Sequence, residues 1–392
     1  MLGAQERFAF QVKTEMYYGI GYSRNLGKFL QERGLARVGV LVDAGVAQKA
    51  PYYHEIRDIL AGHTKNLYIE ELRGTEEPDY DYLDEVAAKI RQIEHLDVLI
   101  GIGGGSCLDV TKAVAVLRTN PGKGIDYRGF DQVVNPGVPT IAIPSTAGTG
   151  SEVTINAPFT DKREMRKLGI NGRYLNATYA ILDAEWTMSC PLFFAVSAGM
   201  DAMTHTLESF TCKQANRLTR FFSKEAFRLL FQALPALIDD PGNREKRQEI
   251  LLGAYLAGIA LFNSGSGIAG ALSYPIGVHY KVPHGIGGGI FLAPVIAYNV
   301  DRGYGAYAEL LDLVEHRPAW TPEEKNLRFL EVFRALADKL GVPRHLDQWG
   351  ITRENLDEVA KLMLPMQAAF DQNPIPFTAE TDALEMLRAH VI

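Results

Sequence analysis

Cysteine is scarce in this chain, with Cys107, Cys190 and Cys212 the three in 392 residues. An odd number without C-x-x-C spacing excludes a disulfide framework and a cysteine zinc site, which leaves small buried side chains as their expected role. Long apolar runs are missing as well, none approaching the roughly eighteen residues of a membrane span. The opening MLGAQERFAF mixes acid and base where a secretion signal carries an unbroken apolar stretch, so a cytoplasmic location with no membrane partner is expected. Positive charge is not in excess either. A net charge of -7, with Lys and Arg scattered rather than striped, gives no electrostatic reason for a nucleic-acid partner.

What is present is the balance of a folded globular chain, 47% hydrophobic and 22% charged, at a length that predicts two domains. RVGVLVD (37–43), NLYIEEL (66–72), LDVLIGI (96–102), TIAIP (140–144) and YAILD (179–183) read as strands, with LGKFLQERG and YLDEVAAKIRQI as helices between them. Such alternation predicts parallel pairing through right-handed crossovers, hence a doubly wound α/β sheet. After Pro191 the character changes. Residues 191–212, 217–238 and 245–262, then LRFLEVFRALADKLG and NLDEVAKLMLPMQAAF, keep helical apolar spacing with little strand-like alternation. The reading is therefore an α/β dinucleotide-binding domain over 1–187 and an all-helical domain over 188–392.

In an open parallel sheet, ligands bind beyond the carboxyl ends of the strands, and three features fall there. GIGGGSCLDVTK (101–112) follows LDVLI; its glycines permit a sharp turn and a close approach, and a helix starting there would offer unpaired N–H groups to a phosphate. A tight strand-to-helix turn explains the same residues. Ser106 stands where the G-x-G-x-x-G fingerprint has its last glycine, so any dinucleotide would be held by a variant loop. Asp43, closing RVGVLVD, reads either as a ribose-binding acid that repels a 2′-phosphate or as a helix N-cap. IPSTAGTGSEVT supplies Ser145, Thr146, Thr149 and Ser151 on a backbone read as flexible and rich in donors.

Of nine histidines, His54, His63, His95, His316, His345 and His390 lie in polar or terminal surroundings and read as surface residues. In GMDAMTHTLES, Asp201 and His205 are four apart, so a helix places both on one face, where they suit a shared divalent cation or a plain Asp–His hydrogen bond. His284, in KVPHGIGGG, sits at an expected helix start, from which a ligand can reach another helix. His279 lies in the same connecting segment.

GGGSCLDVTK, PSTAGTGSE, DAMTH and VPHG, in that order and at these separations, resemble the iron-containing (group III) alcohol dehydrogenase family over nearly the whole chain. The resemblance implies an α/β Rossmann-like domain followed by an all-α one in a dehydroquinate synthase-like architecture. It implies NAD, with NADP less favoured, on the first domain and a divalent metal, Fe2+ or Zn2+, in the second. Carried over position by position, it implies that Gly104, Gly105 and Ser106 cradle the pyrophosphate, that Asp43 selects NAD, and that Ser145, Thr146 and Thr149 touch the cofactor. Asn156 and Lys167 match positions near cofactor and substrate, and Asp201, His205 and His284 match three of four metal ligands.

The departures are informative. GIAGALSYPIG puts Gly270 where the family has its fourth ligand and Tyr274 where it has a histidine associated with proton relay, while Glu76 and Glu77 fall where an asparagine often faces the cofactor. Tyr274 is a candidate relay or a stacking aromatic, and His279 a candidate replacement ligand or catalytic group. An imidazole lost at 270 would open volume beside the metal and suit a bulkier or more polar substrate, a polyol or sugar-derived one. The implied function is an NAD-dependent, metal-assisted alcohol dehydrogenase or aldehyde reductase acting on a small molecule, as a homo-oligomer, a dimer being common among relatives. Two alternatives stand beside it. One is a sugar-phosphate cyclase of the dehydroquinate synthase type, which requires a basic cluster that is missing near DAMTH. The other is a non-catalytic NAD-binding protein with a degenerate metal site.

Overall fold

Valine and isoleucine alternate with small or leucine side chains along the first apolar strands, so each strand has two faces to bury. The computed structural model describes residues 7–74 and 77–392. Its strands are β1 (Glu15–Tyr18), β2 (Arg37–Asp43), β3 (Asn66–Leu72), β4 (Val98–Gly103), β5 (Gly129–Phe130), β6 (Thr140–Pro144), β7 (Asn156–Asp161), β8 (Arg166–Asn171) and β9 (Tyr179–Leu182). Six of them form a parallel sheet in the order β1-β9-β6-β4-β2-β3. The five strands read from sequence all lie in it.

Helices α1 (Leu26–Glu32), α2 (Ala44–Lys49), α3 (Pro51–His63), α4 (Tyr80–Arg91) and α5 (Gly105–Leu117) cover this sheet. Val38, Val40 and Val42 of β2 and Val98, Ile100 and Ile102 of β4 pack with Leu26, Phe29, Ile56 and Leu60 of α1 and α3. Leu41 and Leu99 face the other way, onto Leu83, Val86 and Ile90 of α4 and Val110 and Val114 of α5. Burial on both faces is why these strands read as continuous apolar runs. The small sheet β5-β8-β7 is additional, and its β7–β8 hairpin, NAPFTD against RKLGIN, carries too little apolar alternation to have been predicted.

The described chain forms two compact units, Val12–Pro191 and Leu192–Ile392, the second joined by residues 7–11. That segment belongs with the helices because the Gln11 backbone N–H donates to Asn263 Oδ1 (2.8 Å) and Asn263 Nδ2 donates back to the Gln11 carbonyl (2.9 Å). The helical unit holds α6 (Leu192–Thr211), α7 (Arg217–Asp239), α8 (Arg244–Phe262), α9 (Ile268–Tyr280), α10 (His284–Asp301), α11 (Ala308–Leu311), α12 (Pro322–Lys339), α13 (Leu356–Lys361), α14 (Gln367–Phe370) and α15 (Asp382–Arg388). The stretch NLDEVAKLMLPMQAAF is not one helix: Pro365 interrupts it, because proline cannot donate into a continuing helical ladder.

Two expectations about surface and core fail here. His390 is buried, donating or accepting through Nδ1 at the Met386 carbonyl (2.6 Å) with its ring against Phe291, and burial pulls its pKa below the ordinary histidine value. His390 and Val391 turn inward, the His390 carbonyl accepting the Leu346 N–H, and only Ile392 beyond them is exposed. Cys107 and Cys212 are buried as expected, but Cys190 is only partly so.

Candidate active site

In the α/β unit the carboxyl ends of β2, β4 and β6 lie side by side, with Val42 opposite Ile102 and Gly103 opposite Pro144. This register brings Asp43, the glycine turn and the 145–151 loop together. The expected sharp turn is there, with Gly104 alone between β4 and α5, but none of Gly101, Gly103, Gly104 and Gly105 needs a positive φ to make it. Close approach is the further reason for glycine here. A Cβ on Gly101 would lie 2.5 Å from Thr111 Oγ1, and one on Gly105 would lie 2.6 Å from Thr149 Cγ2. Gly104 is the N-cap of α5 and makes no side-chain cap, and Ser106 one residue into the helix is exposed. The first N–H groups of α5 are thus not capped by a side chain of their own turn, which suits a phosphate.

Asp43 settles its two readings partly in favour of the cap. Its Oδ1 accepts from the Gly45 N–H (2.8 Å) and the Val46 N–H (3.2 Å) at the start of α2. Oδ2 takes no part in that cap and faces Gly74. The 145–151 loop, read as flexible from its small residues, is held by hydrogen bonds and burial. Ser145 donates its N–H to the Gly103 carbonyl (2.8 Å), Ser151 Oγ donates to the buried Asp109 (2.6 Å), and Ser151, Glu152 and Thr154 are themselves buried. Lys112 holds the far side: its ammonium donates to the carbonyls of Ser151 (2.9 Å) and Asn156 (2.5 Å) and pairs with Asp109 at 3.2 Å. Thr146 and Thr149 therefore stand on a braced loop, with Thr146 Oγ1 beside Gly104.

Asn156 and Lys167 are on the β7–β8 hairpin, near its start and in its middle, not at these strand ends. Lys167 Nζ is engaged with Glu77 at 2.5 Å. Glu76 lies outside the described residues. The buried Asp109–Lys112 pair was missed at sequence level although its i,i+3 spacing within an otherwise apolar helix was a usable signal.

The second centre is wholly in the helical unit. Asp201 and His205 project from one face of α6, and His284 opens α10. A carboxylate oxygen and one ring nitrogen from each histidine all lie within 4.8 Å of one another. Asp201 Oδ1 is 3.5 Å from His205 Nε2 and 3.6 Å from His284 Nε2. Those separations are too long for good hydrogen bonds and suit atoms that share a cation. The plain Asp–His hydrogen bond is not formed. His205 Nε2 is the ring nitrogen that faces Asp201, while Nδ1, the other ring nitrogen, is buried without a hydrogen-bond partner. Close approach of α10 depends on Gly285, where a Cβ would fall 1.9 Å from the Ser197 carbonyl oxygen of α6.

Around the triad, the structure changes two expectations. Gly270, on α9, does not face a void, because a Cβ there would sit 2.9 Å from the carboxylate of Glu208. Glu208 lies one turn after His205 on α6 and accepts the N–H groups of Gly267 (2.8 Å) and Gly270 (2.9 Å) at the start of α9. Burial pushes its pKa up to about 7, against the lowering effect of those two N–H groups and of His205. A glutamate three residues from His205 within apolar LESF was a readable sign of it. His279 is not in a connecting loop; it occupies the exposed last turn of α9 and does not join the cluster, because α9 continues to Tyr280. Tyr274 lies with its ring 4.6 Å from the His284 ring, tilted by 56°. The two rings are in tilted contact rather than stacked.

The glycine-rich turn in one unit and the Asp–His–His cluster in the other fall in two adjoining family matches. Residues 13–184 match the family described as iron-containing alcohol dehydrogenase, and residues 195–391 match its C-terminal part. The chain belongs to the iron-containing alcohol dehydrogenase family. Among curated relatives, the NAD-dependent methanol dehydrogenase of Bacillus methanolicus is 31% identical over 269 residues, 68% of this chain and 71% of that protein. The lactaldehyde reductase of Escherichia coli K12 is 32% identical over 272 residues, 68% of this chain and 70% of that one. A crystal structure of 1,3-propanediol oxidoreductase superposes with a TM-score of 0.90 at 24% identity, covering 98% of this chain and 99% of its own, which shows the shared fold.

This member of the family is an oxidoreductase of alcohols and aldehydes, and the family employs NAD with a divalent metal. A cyclase function is not favoured by these relatives. The chemistry of the donor set fits the metal: one carboxylate with two imidazoles suits iron or zinc and leaves coordination positions open.

Proposed function

We propose that Asp201, His205 and His284 hold the catalytic cation, and that the α5 N-terminus with Thr146 and Thr149 holds the dinucleotide. The observation that supports this most is the meeting of three ligand atoms from α6 and α10 within 4.8 Å. When bound, the cation supplies Lewis acidity toward an alcohol or carbonyl oxygen and NAD accepts or returns hydride. The protein's share is placement. Asp201 brings the negative charge that partly balances a divalent ion, while both imidazoles present Nε2. Tyr274 is 37% exposed and carries a phenol beside His284, so it can donate a hydrogen bond to a substrate hydroxyl. A proton-relay role for His279 has no support from its exposed position.

In the α/β unit, Asp43 Oδ2 remains to accept from a ribose hydroxyl and to disfavour a 2′-phosphate, which supports NAD over NADP. The substrate reading changes with Glu208 in the space beside Gly270. A short polar alcohol or aldehyde, of the size implied by the names lactaldehyde reductase and NAD-dependent methanol dehydrogenase, replaces the polyol or sugar-derived one. A cytoplasmic homodimer completes the proposal, with β1 the sheet edge left for pairing on one side.

The test joins metal analysis to turnover. Purified protein should contain one iron or zinc per chain and form NADH from a short diol, and Asp201→Ala should lose both. Metal content unchanged in that variant would overturn the assignment. A higher kcat/KM on sugar-derived polyols than on lactaldehyde or short diols would restore the larger substrate.

A further inference from the structure

We propose that Ser273 is a positioning residue that sets the tautomer of His284, leaving Nε2 unprotonated toward the cation. The inference rests on the proposed Asp201–His205–His284 site and concerns what orients its third ligand.

Ser273 is on α9, 1% exposed, with its hydroxyl at two hydrogen-bonding distances: 2.6 Å from the Gly270 carbonyl oxygen and 2.7 Å from His284 Nδ1. A hydroxyl has one hydrogen, and a carbonyl oxygen can only accept. The hydrogen therefore goes to Gly270, and the Ser273 oxygen accepts from His284 Nδ1–H. A neutral imidazole carries a single N–H, so Nε2 keeps its lone pair. That nitrogen faces Asp201 Oδ1 at 3.6 Å with no proton between them, an arrangement of two acceptors that a cation resolves.

Packing makes this relay possible. A Cβ on Gly287 would lie 3.0 Å from Ser273 Cβ, so the glycine one turn into α10 lets α9 come close enough for Ser273 to reach the ring. The Tyr274 ring, 4.6 Å from that of His284, also packs against the imidazole. With Gly270 supplying no fourth side chain, the three remaining donors must hold the ion alone, and a ligand already in the right tautomer loses less on binding.

Histidine-selective 15N NMR of the full-length protein, stripped of metal and held at about pH 8, above the ordinary histidine range, reads the tautomer directly. The His284 signals, identified by their loss in His284→Gln, should show the Nδ1–H form, and Ser273→Ala should convert them to the Nε2–H form or a mixture. Zinc affinity, measured by competition with a chromophoric chelator, should fall about 10–100-fold in Ser273→Ala. An Nε2–H tautomer in the unmodified protein, or an unchanged tautomer and affinity in the variant, would overturn the role of Ser273. Absence of zinc binding in the unmodified protein would overturn the metal site instead, and the tautomer would still decide the question for Ser273.

Discussion

Gly285, next to His284 and packed against Ser197 and Asp201 of α6, is the residue on which the proposed cation site depends most sharply without supplying a ligand atom. The Ser197 carbonyl lies where its Cβ would go, at 1.9 Å, and backbone cannot swing aside as a side chain tip can. Gly285→Ala should therefore push α10 off α6, lowering stability by about 1–3 kcal/mol and separating His284 from Asp201. Thermal unfolding and metal content should fall together; a variant with wild-type Tm and full metal would contradict the packing argument. Glu152 shows a different residue-level effect. Burial, helped by Asp109 and opposed by Lys112, raises its pKa from 4.5 to about 7. Below about pH 4.5 the folded and unfolded states are both protonated and it contributes nothing. As pH rises from there to about 7 the unfolded chain releases this proton first, so stability falls over that window and levels off above it. Glu152→Gln should remove this share of the slope, worth at most about 3 kcal/mol between pH 4.5 and 8, which denaturant titrations at the two pH values would detect.

At the level of elements, α5 is joined to the 145–156 segment by a buried ion pair rather than by apolar packing alone. Desolvation raises the pKa of Asp109 and lowers that of Lys112, each opposed by the other's charge, so the pair holds only while both members are present. Lys112→Met would leave Asp109 buried without its counter-ion and the carbonyls of Ser151 and Asn156 without their donor. The expected cost is about 3–5 kcal/mol. Because that segment carries Thr149 against Gly105, NAD affinity should weaken as well, while zinc binding to α6 and α10 is left unchanged. Calorimetric titration of both ligands against the variant separates these outcomes.

For the molecule as a whole, the proposed cation and dinucleotide ligands fall in different units, and hydrogen exchange should report each. Zinc should slow exchange in peptides from α6, α9 and α10, and NAD should slow it at the start of α5 and in the 145–151 loop. Protection by zinc confined to the α/β unit would contradict the assignment of its ligands. A ligand present at 100 times its Kd adds about 2.7 kcal/mol to the unit that binds it.

Much of this architecture is legible along the chain because it follows local periodicity: strands buried on both faces are uninterrupted apolar runs, and β2, β3 and β6 end where those runs end. Asp201 and His205 are legible for the same reason, since four residues make one helical turn. His284 joins them from 79 positions later only because α10 packs on α6, a contact licensed by Gly285. Nor does the chain read along its length reveal that Glu208 fills the place beside Gly270, that Ser273 donates to one carbonyl and accepts from one imidazole, or that His390 turns inward. Periodicity reports which face of an element meets apolar neighbours; it carries no information on which polar atoms from distant elements come within 3 Å, because that is set by how closely whole helices approach one another.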